Sequence, residues 1–272
     1  MLQRSSVKKF EEANMAIQIS DMTTSVKPKP PRILCYGPPG IGKTWFGADA
    51  PAPVFLQTED GLGKRAGDTP HFPLCRQYSD VLEVLEALKT GEHDRRTLVI
   101  DTADWLDHLI LDAIELKYDK NDKAFGKDQV VLSTWWRALL NLMDDLRDER
   151  GMAVLFLAHS QVKRYDAPET KGYDRYMPKL ARNSTAVLQE WCDAIFFAHQ
   201  PVAVLEEELG FKKTRTRAVG KGAVLRTKPN AAYIAKSRYA LPEEIPFGPG
   251  EDNPWNTINA GIVGTLTVEG ES

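Results

Sequence analysis

A lysine and a threonine, Lys43-Thr44, close the run Gly37-Pro38-Pro39-Gly40-Ile41-Gly42-Lys43-Thr44. This is the spacing G-x-x-x-x-G-K-[ST] of a phosphate-binding loop. The chemistry explains the residue types. Gly37, Gly40 and Gly42 let the backbone curl without side-chain clashes, so that successive N–H groups face inward and cradle phosphate oxygens. A following helix adds the positive end of its dipole. Lys43 is placed to reach the β- and γ-phosphates, and the Thr44 hydroxyl to bind Mg²⁺. The expected nucleotide site is Gly37, Pro38, Pro39, Gly40, Ile41, Gly42, Lys43, Thr44, Trp45 and Asp101, with ATP and Mg²⁺ as cofactors and Thr44 and Asp101 on the metal.

Other polar groups stand at the ends of apolar runs. Val54-Phe55-Leu56 leads to Glu59-Asp60, Thr97-Leu98-Val99-Ile100 to Asp101, and Ala153 to Ala158 to His159-Ser160-Gln161. In open α/β sheets the carboxyl ends of the strands are where ligands bind. Glu59 and Asp60 stand at that ligand-binding edge, although acids before Gly61 also suit an ordinary turn. Asp101 is a candidate Mg²⁺ support, although a strand-end Asp is also a common N-cap. His159 reads equally as a phosphate sensor and as a structural histidine.

Residues 161–182 read as a long loop in which cations alternate with rings. Lys163, Arg164, Tyr165, Lys171, Arg175, Tyr176 and Lys179 are the candidate contacts to single-stranded DNA, since cations meet phosphates and rings stack on bases. Asp166, Glu169 and Asp174 in the same stretch fit a solvated loop instead.

The positioning elements follow from pattern. Ile33–Tyr36 is a buried strand, and residues 43–50 form a helix ended by Pro51 and Pro53. A helix starts at Asp80 with Asp80 and Glu83 at capping-box spacing and Val81, Val84, Leu85 and Leu88 on one face. Helices are expected around 106–114, 133–150 and 184–191, with a polar loop over 117–131 and Trp136 in the core. Residues 194–198 form a strand, and 211–219 with 223–228 a cation-dense β-hairpin about Gly220-Lys221-Gly222. Tyr233 to Tyr239 is a strand whose Lys236 and Arg238 share a face. The division is an N-terminal segment and Pro-rich linker at 1–30, a core at 31–248, and a mobile tail at 249–272.

The chain has 272 residues and a formal net charge of −3, so any basic surface must be local. Three scattered cysteines, Cys35, Cys75 and Cys192, form no zinc or disulfide pattern and fit a reducing cytoplasm. No apolar run reaches ~18 residues, so no membrane span is expected. The N-terminus lacks the apolar core of a secretory signal.

The Gly-Pro-Pro-Gly loop resembles that of AAA+ ATPases, but Asp101 is followed by Thr102, where that family places its catalytic Glu. With Glu59 as base, the order of motifs is similar to the RecA family. Thr58-Glu59-Asp60-Gly61, Asp101-Thr102, Ala158-His159-Ser160 and Ala235-Lys236-Ser237-Arg238-Tyr239 resemble phage-encoded, core-only RecA-like proteins of the single-strand annealing type, over roughly residues 31–247. The resemblance implies an α/β RecA-like P-loop NTPase core, a mostly parallel sheet flanked by helices, with a C-terminal β-hairpin. It implies an ATPase with Lys43, Glu59 and His159 at the reacting phosphate. Lys236 and Arg238 would reach the ATP of an adjacent subunit in a ring or filament on single-stranded DNA, with a single-strand-binding protein as a further partner. Phe10-Glu11-Glu12-Ala13 matches the Phe-x-x-Ala docking pattern of eukaryotic recombinases. An AAA+-like loader, the alternative, implies a C-terminal helical lid carrying an arginine; a small-molecule kinase implies a lid and turnover indifferent to DNA.

Overall fold

The structure is a computed structural model that describes Met22 and residues 29–62, 68–117, 127–166, 169, 171–208, 214–220 and 222–269, with the backbone alone for 127–129, 202–208, 214–220 and 265–269. The Phe10–Ala13 stretch lies outside the described residues.

Four apolar runs make the centre of one sheet. They are β1 (Arg32–Gly37), β2 (Pro53–Gln57), β3 (Thr97–Asp101) and β4 (Ala153–Tyr165). With β6 (Ala194–His199) they run parallel in the spatial order β6-β1-β4-β3-β2. Strand β4 therefore lies between the phosphate-loop strand and the strand that ends in Asp101. The short strands β9 (Val224–Arg226) and β11 (Glu244–Pro246) extend the sheet antiparallel beyond β6, and β10 (Lys236–Ser237) pairs with the start of β6. Such runs carry no polar alternation because helices cover both faces.

One face, lined by Leu34, Leu56, Ile100 and Phe156, packs against α2 (Tyr78–Thr90), α3 (Ala103–Lys117), α4 (Lys127–Arg150) and α5 (Arg182–Trp191). The other, lined by Cys35, Phe55, Val99 and Leu157, packs against Phe46 and Ala50 around α1 (Lys43–Ala48) and Trp255 and Ile258 of α6 (Pro254–Glu269). The parallel register brings Gly37 level with His159, and Gln57 level with Asp101, at one edge of the sheet. This is a mostly parallel sheet flanked by helices, with the phosphate-binding loop at the carboxyl end of β1. Among the described residues no helix is long and apolar enough to cross a membrane.

Several elements differ from the sequence expectation. The box at α2 lies three residues earlier: Gln77 is its N-cap, and the Asp80 carboxylate accepts from the backbone N–H groups of Arg76 and Gln77. Helix α4 begins at Lys127, inside the stretch read as a loop. Residues 161–178 are mostly not a loop. Strand β4 runs on through Tyr165 and pairs antiparallel with β5 (Tyr173–Pro178). The cation-dense hairpin pairs β7 (Val202–Glu208) with β8 (Thr214–Gly220), because β9 is drawn into the main sheet by β6. Its register sets Glu206 opposite Thr216 and Glu207 opposite Arg215, so an acidic strand faces the basic one.

The tail expected at 249–272 contains α6. Trp255 and Ile258 recur on one side of it and are buried, with Ile262 packed beside them. Trp255 stacks on Phe46 with ring centroids 5.1 Å apart, and its indole N–H donates to the Phe46 carbonyl at 2.9 Å. The Asn253 amide donates to the Asp49 carbonyl at 3.0 Å. Carbonyls at the end of a short helix have no partner within it, so these two side chains finish α1. Trp255→Ala therefore costs about 3–5 kcal/mol in urea unfolding. Trp255→Phe keeps the stack, loses one hydrogen bond, and costs about 1 kcal/mol.

Candidate functional site

The phosphate loop joins β1 to α1. A Cβ at Gly37 would lie 2.5 Å from the Ala198 carbonyl oxygen of β6, so only glycine lets the two strands approach. Gly40 and Gly42 have φ of 74° and 105°, the left-handed region that glycine enters without strain. The Lys43 ammonium donates to the carbonyls of Gly37 at 3.1 Å and Pro38 at 3.0 Å. Burial lowers its pKa, against the pull of Cys35, Asp101, Asp104 and Glu59.

A cleft of about 330 Å³ opens beside this loop, lined by Pro39, Gly40, Gly42, Lys43, Thr44 and Trp45 from the loop side. Its other wall is Glu59, Gly61, Asp101, Thr102 and His159. The structure thus gathers Lys43, Thr44, Trp45, Glu59, Asp101 and His159 in one place. The Thr44 hydroxyl donates to Asp101 Oδ2 at 2.9 Å. Two hard oxygens side by side, next to a phosphate cradle, fit Mg²⁺, which keeps most of its shell for phosphate oxygens and water. Burial raises the Asp101 pKa; the Thr44 bond and the Lys43 charge oppose it.

The remaining wall is a polar network. Thr58 O–H donates to the Thr102 carbonyl at 2.7 Å and accepts from the Thr102 N–H at 2.9 Å. This locks the end of β2 to the end of β3. The Thr102 hydroxyl donates to Glu59 Oε2 at 3.3 Å, which holds that carboxylate at the cleft. Asp104, buried in the first turn of α3, accepts from the His159 backbone N–H at 3.0 Å and from its ring Nδ1–H at 2.9 Å. Ser160 and Gln161 do not line the cleft. Ser160 is level with Pro178, and the Gln161 amide donates to the Pro178 carbonyl at 2.8 Å.

Beyond His159, β4 leaves the cleft as one arm of the β4–β5 hairpin. Opposed residues share a face in an antiparallel pair. Lys163 with Arg175 and Tyr165 with Tyr173 lie on one face; Val162 with Tyr176 and Arg164 with Asp174 lie on the other. The candidate DNA contacts divide accordingly. Arg164 lies 3.8–3.9 Å from Asp166 and Asp174. Arg175 lies over the Tyr165 ring and donates to the Tyr233 carbonyl at 3.1 Å. Tyr176 stacks on Phe197 with centroids 5.1 Å apart. Lys163, Lys171 and Lys179 are exposed and have no ion-pair partner among the described residues. The hairpin base is also tied to β1: the Tyr36 hydroxyl lies 2.8 Å from the Ile234 carbonyl and 3.2 Å from the Tyr176 carbonyl, and accepts from the Ile234 N–H at 2.8 Å.

Lys236 and Arg238 lie at the other end of the sheet, beside the start of β6, and do not reach this cleft. Lys236 donates to the carbonyls of Gln189 and Cys192 at 2.8 Å, which caps α5. Arg238 pairs at 3.0 Å with Asp193, a buried carboxylate that also pairs with Arg32 and Arg147. Sequence reasoning named Thr58 and Thr102 only as parts of motifs, without a role, and missed Asp104 and Asp193. The signal for Asp104 was its place one turn after a strand-end Asp, where a helix start faces the sheet edge.

The chain matches the AAA_24 family model, described as an AAA domain, over residues 29–239. No curated protein matches it. Among solved structures, the crystal structure of the RadB recombinase is similar at a TM-score of 0.40 and 14% identity, covering 73% of this chain and 89% of that one.

Asp101 gives a prediction with a sign. Its raised pKa means that the fold favours its protonated form, so stability falls as pH rises from the ordinary carboxylate range through the raised value. Asp101→Asn removes that penalty. The variant without nucleotide should melt higher than wild type at neutral pH, with the difference shrinking in acid, while the gain in nucleotide affinity from added Mg²⁺ is lost.

Proposed function

This chain belongs to the AAA_24 family of AAA domains, and on that premise we propose that it is an ATP-hydrolysing, single-stranded-DNA-binding protein of RecA-like type. In this reading it serves phage homologous recombination, promoting single-strand annealing or strand pairing, in the host cytoplasm. The observation that carries the reading is the course of β4. One strand holds His159 in the wall of the cleft and then becomes the exposed hairpin bearing Lys163, Tyr165 and Tyr173.

The loop N–H groups and Lys43 hold the triphosphate. Thr44 and Asp101 support Mg²⁺, which when bound neutralises charge on the phosphates. Glu59, held by Thr102, takes a proton from water. His159 senses the terminal phosphate through the water that attacks it, and shares its strand with the hairpin. Lys236 and Arg238, remote from their own cleft, serve that of a neighbouring subunit, with ATP between subunits of a ring or filament. For Arg238 this means leaving Asp193. A single-strand-binding protein is the further partner.

The alternative, an AAA+-like loader or remodeller, gains from one observation: a helix does follow the core and packs on the phosphate-loop helix. Residues 254–269 contain no Arg or Lys to sense phosphate, so α6 lacks the charge such a lid uses.

ATP turnover measured with and without single-stranded DNA tests the proposal. The expected result is stimulation by DNA that is lost in Glu59→Gln while nucleotide binding persists; turnover indifferent to DNA moves the assignment to the loader or a kinase. On the hairpin, Tyr165→Ala weakens single-stranded DNA binding by about 1–3 kcal/mol. Arg164→Ala, already paired with acids, weakens it less in the same titration.

A further inference from the structure

The carboxylate of Asp104 does not line the cleft, yet its bonds decide what His159 can do there. Both of its oxygens are engaged by one residue: Oδ1 by the His159 backbone N–H and Oδ2 by ring Nδ1, at 3.0 and 2.9 Å. Burial pushes the Asp104 carboxyl up, but the two hydrogen bonds from His159 oppose this and the carboxyl lies below its ordinary value. It is therefore ionised at neutral pH and can only accept. The hydrogen of a neutral His159 ring must then sit on Nδ1, and Nε2 carries a lone pair. Nε2 has no hydrogen-bond partner among the described residues, and His159 lines the cleft opposite Lys43. Glu59 is held on the same wall by the Thr102 hydroxyl, at 3.3 Å.

We propose that Asp104 is a positioning residue for ATP hydrolysis: it fixes His159 in the Nδ1–H form, so that Nε2 accepts one hydrogen of the attacking water while Glu59 accepts the other. A water held at both hydrogens keeps its oxygen lone pair turned to the terminal phosphate. Asp104 itself touches neither water nor nucleotide. The inference rests on the ATPase reading above but not on its DNA component.

Asp104→Asn is the discriminating variant. The amide oxygen still accepts the His159 backbone N–H, but the amide N–H₂ donates to Nδ1 and moves the ring hydrogen to Nε2, which can no longer accept. Steady-state hydrolysis without DNA, with binding of a fluorescent ATP analogue and a thermal melt as controls, is expected to show kcat down on the order of 10–100-fold. KM and analogue affinity should stay within about twofold, since the variant leaves the phosphate cradle intact. In a His159→Gln background the same substitution should cost nothing further. Asp104→Glu, which keeps an acceptor-only carboxylate, should retain more turnover than Asp104→Asn. Wild-type kcat in Asp104→Asn, an undiminished effect in the His159→Gln background, or a reversed order of the Asn and Glu variants overturns the proposal. Absence of ATP turnover in the wild type is a separate result and overturns the function on which it rests.

Discussion

Strands buried on both faces can carry polar side chains only at their ends. That constraint organises this molecule. Ile33–Tyr36, Val54–Leu56, Leu98–Ile100 and Val154–Ala158 are wholly covered by helices, so each strand turns polar only on leaving the core. Because the strands are parallel and in register, these exits coincide, and a lysine, two acids, a histidine and two threonines meet in one cleft. Burial of so many polar groups is costly unless each is hydrogen-bonded. The Thr58–Thr102 and Asp104–His159 pairs meet that requirement, and the Thr44–Asp101 bond offsets only part of the burial that raises the Asp101 pKa.

The same logic says what could be read from the sequence and what could not. The phosphate loop is contiguous, and its residues are fixed by local backbone geometry. Glu59, Asp101 and His159 could be placed because each follows an unbroken apolar run. Asp104 was hidden because an acid in the first turn of a helix is ordinary there; only the register of β4 against β3 brings it to His159. The hairpin was hidden because adjacent charges, Lys163-Arg164 on one strand and Asp174-Arg175 on the other, break the two-residue alternation of a strand. Helix α6 was hidden by its glycines and by a helical stripe of only Trp255, Ile258 and Ile262.

Cation counts also mislead when partners are distant in sequence. Of the basic groups that stood out, Arg164, Arg175, Lys236 and Arg238 are engaged by acids or by carbonyls in the folded chain. Lysines 163, 171 and 179 are not so engaged among the described residues. The surface that can attract phosphate is therefore smaller, and more sharply placed, than the composition of 161–182 implies.

Tyr36 immediately precedes Gly37, and its hydroxyl grips two separate backbone segments, at Tyr176 and at Ile234. A phenol ring has two torsions, and this one is packed against Phe197. It acts as a short rigid strut between the root of the hairpin and the root of the phosphate loop. The hairpin therefore stands on a braced footing, its root joined through one packed ring to the strand that leads into the phosphate loop.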